Sequence, residues 1–314
     1  MLTAQPPAQI QETPAAREVT FPGFNQFELH GCVLAAQGLP WFAVMVGDSG
    51  PLDRDWVNPM LPGSHPGRTL AEWLQAQGVG SLRCDKRIAA RNPKLDSSLD
   101  AQLGDLRAAL AWARTQPEAQ GRRLLLLGHG EGALLALLAA PGADALLLLA
   151  MPPESMAATL ADQLRPQLPP DTAGPNLHYL EAVFQAIRSR GQPPAAGPEV
   201  YPAMVRFGRS LMAPETLDFV RATLDLDPWT MADRLAVPTA LVWGDRDVVA
   251  WKPAKIPAAF HGTVLELPGA NHMLKQEPRA KSALDGASAL AAYGDEVPLA
   301  DLAPLAAWLR GLGR

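Results

Sequence analysis

The chain has 314 residues, enough for one large domain with an insertion, and its 48% hydrophobic and 19% charged residues are the balance of a folded globular protein. A formal net charge of -5 with no Lys/Arg cluster offers no face for a phosphate backbone, so no nucleic-acid partner is expected. The most apolar stretch, residues 124 to 151, is broken by His129, Glu131, Pro141 and Asp144 before about 18 apolar residues accumulate, which argues against a membrane partner.

Residues 1 to 17 are rich in Gln, Pro, Ala and Thr and lack an apolar core of the kind a signal peptide needs, so they read as a disordered leader. A cytoplasmic location is the expectation, although a processed secreted form would have the same composition. Glu18 to Phe21 and Phe27 to Leu34 alternate around Pro22-Gly23-Phe24-Asn25, the pattern of an antiparallel hairpin at a sheet edge. Trp41 to Val46 is continuously apolar, as a strand covered on both faces must be. It runs into the polar loop Gly47-Asp48-Ser49-Gly50-Pro51-Leu52-Asp53-Arg54-Asp55, whose glycines permit close approach to a ligand.

Helical spacing over Thr69 to Gln77, an apolar run over Val79 to Cys84 and the amphipathic Leu99 to Thr115 continue an alternation of strand and helix. At the centre, Leu124 to Leu127 enters the turn Gly128-His129-Gly130-Glu131-Gly132, and Ala133 to Ala140 leaves it as a helix. A further strand spans Ala145 to Ala150. Such alternation predicts right-handed crossovers and a largely parallel sheet flanked by helices, an α/β fold. From residue 154 to 226 it stops, giving way to helical segments between Pro- and Gly-rich links. The predicted organisation is therefore a core of residues 18–153 and 227–314 with a helical cap inserted at 154–226. Strands resume at Pro238 to Trp243 and Thr263 to Leu267, Ser282 to Asp301 is ambiguous, and Leu302 to Leu312 closes the chain as a helix.

Chemistry gathers in loops after strands. Gly244-Asp245-Arg246-Asp247 follows one apolar strand and Pro268-Gly269-Ala270-Asn271-His272 the next. In an open parallel sheet ligand groups collect beyond the carboxyl ends of the strands, which puts both loops on the rim that carries Gly130. Imidazole takes up a proton near neutral pH, and a buried carboxylate orients it and stabilises the imidazolium. His30, His65, His178 and His261 lie in no ligand-spaced cluster, and neither His-Glu-x-x-His nor a Cys pair at metal spacing occurs, so no catalytic metal is implied. The Gly-rich turn fails the G-x-G-x-x-G spacing, and no nicotinamide or other cofactor is expected. Cys32 and Cys84 read as free, mostly buried thiols.

The blocks Ser49-Gly50-Pro51-Leu52-Asp53-Arg54-Asp55, Cys84-Asp85-Lys86-Arg87, Gly128-His129-Gly130-Glu131-Gly132-Ala133, Gly244-Asp245-Arg246-Asp247 and Gly269-Ala270-Asn271-His272 resemble the α/β-hydrolases, and among them a branch of bacterial carboxylesterase-like enzymes. The resemblance covers nearly all of residues 18 to 312. It implies an α/β-hydrolase fold and ester cleavage by a Ser-His-Asp mechanism, with Asp247 as acid, His272 as base and Gly130 at the nucleophile position of the elbow G-x-S-x-G. It also implies an oxyanion hole from the Glu131 amide and one near Asp48 or Ser49, braced by Asp53, Arg54 and Asp55. His129, Tyr179, Phe184, Tyr201 and Phe207 are the candidate substrate-binding residues for a small, partly apolar ligand.

The chain departs from that pattern twice. Asp48 stands where the branch often has Gly, placing negative charge beside an oxyanion site, and Gly130 has no side chain with which to form an acyl-enzyme. The expectation is a hydrolase inactive or strongly impaired toward esters. Gly130 is open to four readings: a substitution introduced to trap a ligand, a natural loss leaving a binding protein, a repurposed site with His272 as general base, or a nucleophile shifted to Ser49 or Cys84.

Overall fold

The computed structural model describes residues 16–59, 61–90, 92 and 94–312; residues 1 to 15 of the expected leader lie outside them. Arg17, placed in that leader by composition, instead opens the first strand and pairs its guanidinium with Glu118. Eight strands form one sheet: β1 (Arg17–Pro22), β2 (Glu28–Leu34), β3 (Trp41–Val46), β4 (Gly80–Cys84), β5 (Arg123–His129), β6 (Ala145–Leu149), β7 (Thr239–Gly244) and β8 (Thr263–Leu267). Their spatial order is β1-β2-β4-β3-β5-β6-β7-β8. β1, β2 and β4 pair antiparallel, and every pairing from β4 through β8 is parallel.

The helices in chain order are α1 (Pro66–Ala76), α2 (Leu99–Arg114), α3 (Glu131–Ala139), α4 (Met156–Leu164), α5 (Pro170–Ser189), α6 (Pro202–Leu211), α7 (Pro214–Thr223), α8 (Pro228–Ala232), the single turn α9 (Gly286–Ala289) and α10 (Ala303–Gly311). The central strands are apolar through their middles because both their faces are covered. Leu124, Leu126, Leu146 and Leu148 pack with α2, α3 and α8, whereas Leu125, Leu127, Leu147 and Leu149 pack with α1 and α10. The side-chain period of 2 thus splits one apolar run between two cores.

The four helices α4 to α7 lie between β6 and β7 and hold their own apolar cluster around Leu180, Val183, Phe184 and Ile187. α5 begins at Pro170 and runs through a second proline, Pro175. Pro170 sits where a helix has no use for an N–H, and Pro175 costs the helix one internal hydrogen bond without ending it. Among the described residues no helix is long and apolar enough to cross a membrane.

α3 packs hard against the strand that feeds it. A Cβ on Gly128 would lie 2.3 Å from the Gly132 carbonyl oxygen and 2.6 Å from Ala133 Cα, both backbone, so only Gly lets the helix start this close to β5. Gly128→Ala should cost at least about 2 kcal/mol of folding stability, because overpacking against backbone has no rotamer to relieve it. Urea unfolding of parent and variant checks this.

Candidate active site

Two loops leave neighbouring parallel strands in step. Val46 on β3 pairs with Gly128 on β5, so Asp48 and Gly130 sit at equivalent places just past the strand ends. Gly130 holds φ 56 and ψ -122, the sharp conformation of a strand-to-helix elbow, which an L side chain tolerates only under strain. The space above it is filled. A Cβ on Gly130 would lie 2.1 Å from Asp48 Oδ1 and 2.2 Å from Asp48 Cγ, so the carboxylate takes the volume that a side chain at 130 would need.

That carboxylate is held from three sides. Its Oδ1 accepts hydrogen bonds from the backbone amides of Ser49 at 2.7 Å and Glu131 at 2.8 Å. Glu131 opens α3, so the negative charge also lies at a helix N-terminus, where the peptide dipoles favour it. Its Oδ2 accepts from His272 Nε2 at 3.0 Å. Lys86 Nζ donates to the Asp48 carbonyl at 2.8 Å and to Glu131 Oε1 at 2.9 Å, tying the two loops together from below.

His272 stands between two carboxylates. Its Nδ1 donates at 2.8 Å to Oδ2 of Asp247, which is fully buried and whose Oδ1 accepts from the amides of Val249 and Ala250. Burial alone would lower the imidazole's proton affinity. Asp247 first, then Asp48, outweigh it by charge and hydrogen bonding and push the His272 pKa up to about 10. Burial likewise works against ionised Asp48, but the His272 bond and charge and the Glu131 amide hold its pKa well below the usual carboxylate range. At neutral pH the centre is carboxylate, imidazolium, carboxylate.

The fold recurs in solved structures. DcsB, solved with its substrate analogue, matches at a TM-score of 0.54 and 16% identity over 95% of this chain and 99% of that one. The α/β-hydrolase GrgF from Penicillium matches at 0.51 and 17% over 82% and 91%. The proline iminopeptidase of Mycobacterium smegmatis matches at 0.51 and 17% over 82% and 92%. The chain has the α/β-hydrolase fold. No family model and no curated protein matches the sequence.

In this α/β-hydrolase fold the remaining candidates fall into two groups. A cavity of about 330 Å3 is floored by Asp48, Gly130 and His272 and walled by α4, α6 and α7, with Phe207, Leu211 and Phe219 among its apolar lining. Ser49 and Glu131 also line it. Tyr179 and Phe184 do not, being core residues among α4 to α7, and Tyr201 is on the surface with its hydroxyl against that of Thr172. His129 lies behind the site, where its ring stacks on Trp56 and its Nε2 donates at 2.8 Å to the His272 carbonyl, fixing the histidine loop. Asp245 accepts from the Gly269 amide and shapes the turn. Arg54 forks onto Asp85, and Asp55 pairs with Arg83, bracing the Asp48 loop.

The alternative nucleophiles fare differently. Burial pushes the Cys84 thiol far above its ordinary pKa, which disfavours the thiolate that a nucleophile needs. Ser49 serves through its amide. Asp48, His129 and His272 could converge on a cation, with one ligand atom each inside 4.8 Å of the others, yet these atoms already bond within the protein. What sequence reasoning missed is the coupling of the two departures, a side chain lost at 130 and one gained at 48; the β3–β5 register was the signal that joins them.

Two outcomes follow for measurement. Gly130→Ser alone should give no gain in p-nitrophenyl ester hydrolysis, because Asp48 occupies the place of the new side chain, whereas Asp48→Gly with Gly130→Ser should raise the rate by more than about a hundredfold. In urea unfolding against pH, His272 contributes stability that is complete below pH about 6.5 and is lost as pH rises through about 10, because its pKa is raised in the folded state. Asp48→Asn removes one charged partner and should move that loss to lower pH.

Proposed function

We propose that the chain is a hydrolase of small, partly apolar molecules whose reacting centre is the relay Asp48–His272–Asp247, with no acyl-serine. The observation that carries this reading is the Asp48 carboxylate, which takes the volume above the elbow and the hydrogen bond from His272 that a nucleophile at 130 would take. The hydrogen-bonding logic of nucleophile, imidazole and orienting acid is therefore kept while its first member comes from another loop. Ester cleavage of the Ser-His-Asp kind is the reaction of the scaffold once Asp48 is removed and serine supplied; with Asp48 present, the oxyanion amide of Glu131 is already engaged. The helices α4 to α7 act as a cap that shields the cavity from water, which strengthens every charge interaction within it.

One observation favours a second reading. A site whose anion-binding amides are filled by the protein's own carboxylate would also suit a binding protein that no longer turns over.

A panel of esters, lactones, alkyl halides and epoxides, assayed with the parent, Asp48→Asn and His272→Gln, separates the two. The relay reading expects turnover of one class that falls by at least about a hundredfold in either variant. Turnover indifferent to Asp48 would overturn it, and apolar-ligand binding without turnover of any class would support the binding protein.

A further inference from the structure

We propose that the cavity selects a cationic ligand, an apolar body carrying a primary ammonium whose N–H groups are taken by Gln102 Oε1 and the Glu215 carboxylate. This rests on the reading above that the cavity receives a small, partly apolar molecule, and it names the polar group that molecule carries. It concerns the wall made by α2 and α7 and makes no demand on the bond that reacts.

The wall holds a buried acceptor with nothing to accept. Gln102, on the first turn of α2, lines the cavity and is only 9% exposed. Its Nε2 donates to the Ser97 carbonyl at 3.1 Å. A carbonyl can only accept, so this bond fixes which end of the amide is which and leaves Oε1 as the free end. Among the described residues Oε1 has no hydrogen-bond partner. Buried polar atoms in folded proteins are nearly always paired, so an acceptor kept unpaired on a cavity wall is placed for a donor that arrives with a ligand.

A carboxylate lies close to it. Ser97 joins the two residues, since its carbonyl takes the Gln102 amide and its hydroxyl donates to the Glu215 carbonyl. Glu215 stands in the first turn of α7 and lines the same cavity, and its carboxylate is in no ion pair among the described residues. On its own an exposed carboxylate is an ordinary solvated group. Next to an unpaired buried amide oxygen it gives this end of the cavity two acceptors. The hydroxyl hydrogens nearby are spent, that of Ser97 on Glu215 and that of Thr216 on the Ser210 carbonyl at 2.7 Å.

Charge in the lining acts in the same direction. Its cations, Lys86 and His272, are paired with Glu131 and with Asp48 and Asp247. Glu154 and Glu215 have no such partner among the described residues. An acidic ligand therefore meets repulsion at this wall and no free cation. An ammonium meets attraction, and its three hydrogens can serve several acceptors at once. Phe207, Leu211 and Phe219 take the hydrocarbon. Gln102 also borders a second cavity of about 50 Å3, lined by Leu29, Val44 and Leu106 among others, which has room for water.

The test uses hexylamine, hexan-1-ol and hexanoate as probes with the full chain at neutral pH, with dissociation constants read by ligand-observed NMR. Hexylamine should bind at least about tenfold more tightly than hexanoate, and more tightly than hexan-1-ol. Gln102→Leu should weaken hexylamine about tenfold and Glu215→Gln about threefold, the second loss vanishing in molar salt. Glu215→Gln should leave hexan-1-ol unchanged, and as a surface substitution it keeps the test open should Gln102→Leu disturb α2. Hexanoate or hexan-1-ol bound as tightly as hexylamine overturns the ammonium site and leaves the cavity as the place of an apolar ligand. So does a hexylamine affinity unchanged in one of the two folded variants, which would put the amine at Asp48 or Oε1 on water in the smaller cavity. If none of the three probes binds, the reading of the cavity as a ligand site falls too.

Discussion

Just past the ends of β3 and β5 is a volume that holds one side chain. Everything on the rim depends on which strand supplies it. Asp48 supplies it from β3, Gly130 yields it on β5, and the parallel pairing of Val46 with Gly128 makes the two positions competitors for the same space. The β5 elbow keeps its tight backbone, and α3 still begins there with its amides aimed at the site. The elbow's backbone is therefore complete while the volume above it is filled by a charged group from the β3 loop.

That change of charge propagates to the histidine. An imidazole with one carboxylate partner sits near the middle of the physiological range; with a second partner it keeps its proton. Lys86 does not offset this, because its ammonium is occupied by Glu131 and by a carbonyl of the Asp48 loop. The rim is thus a salt bridge of three members in a half-closed pocket, and its resting state stores the proton that any later step must move. A buried ion network of this kind is weak evidence for stability in itself. Its orientation by backbone amides at both carboxylates, Ser49 and Glu131 on one side and Val249 and Ala250 on the other, is what gives it a fixed geometry.

Most of the sheet was readable because strands covered on both faces must be apolar where they are covered, and β3, β6 and the middles of β5 and β7 are. Helix boundaries were less readable where proline is permitted by position: Pro170 and Pro175 look like breakers in a sequence window, and only the three-dimensional path shows α5 running through them. The stretch 282 to 301 had no period to read because it folds as single turns. Its work is local, offering the carbonyls of Ala292, Tyr293 and Gly294 to Asn271 and Lys275 and so fixing the loop that carries His272. Asp247 and His272 could be singled out because each follows a recognisable strand. Tyr179, Phe184 and Tyr201 were misplaced because aromatic residues in a helical segment serve its own core as readily as a pocket, and periodicity does not distinguish the two. Asp48 and Gly130 were each visible as oddities; their reciprocity needed the register.

The exclusion between positions 48 and 130 also limits which pairs of residues the rim can hold. A chain bearing serine at 130 together with Asp48 in its present pose has two side chains in one place. Aspartate at 48 goes with glycine at 130, and a side chain at 130 goes with glycine at 48. With glycine at both positions the elbow is bare, the amides of residues 49 and 131 lose the carboxylate they hold, and the pocket is left with its walls alone.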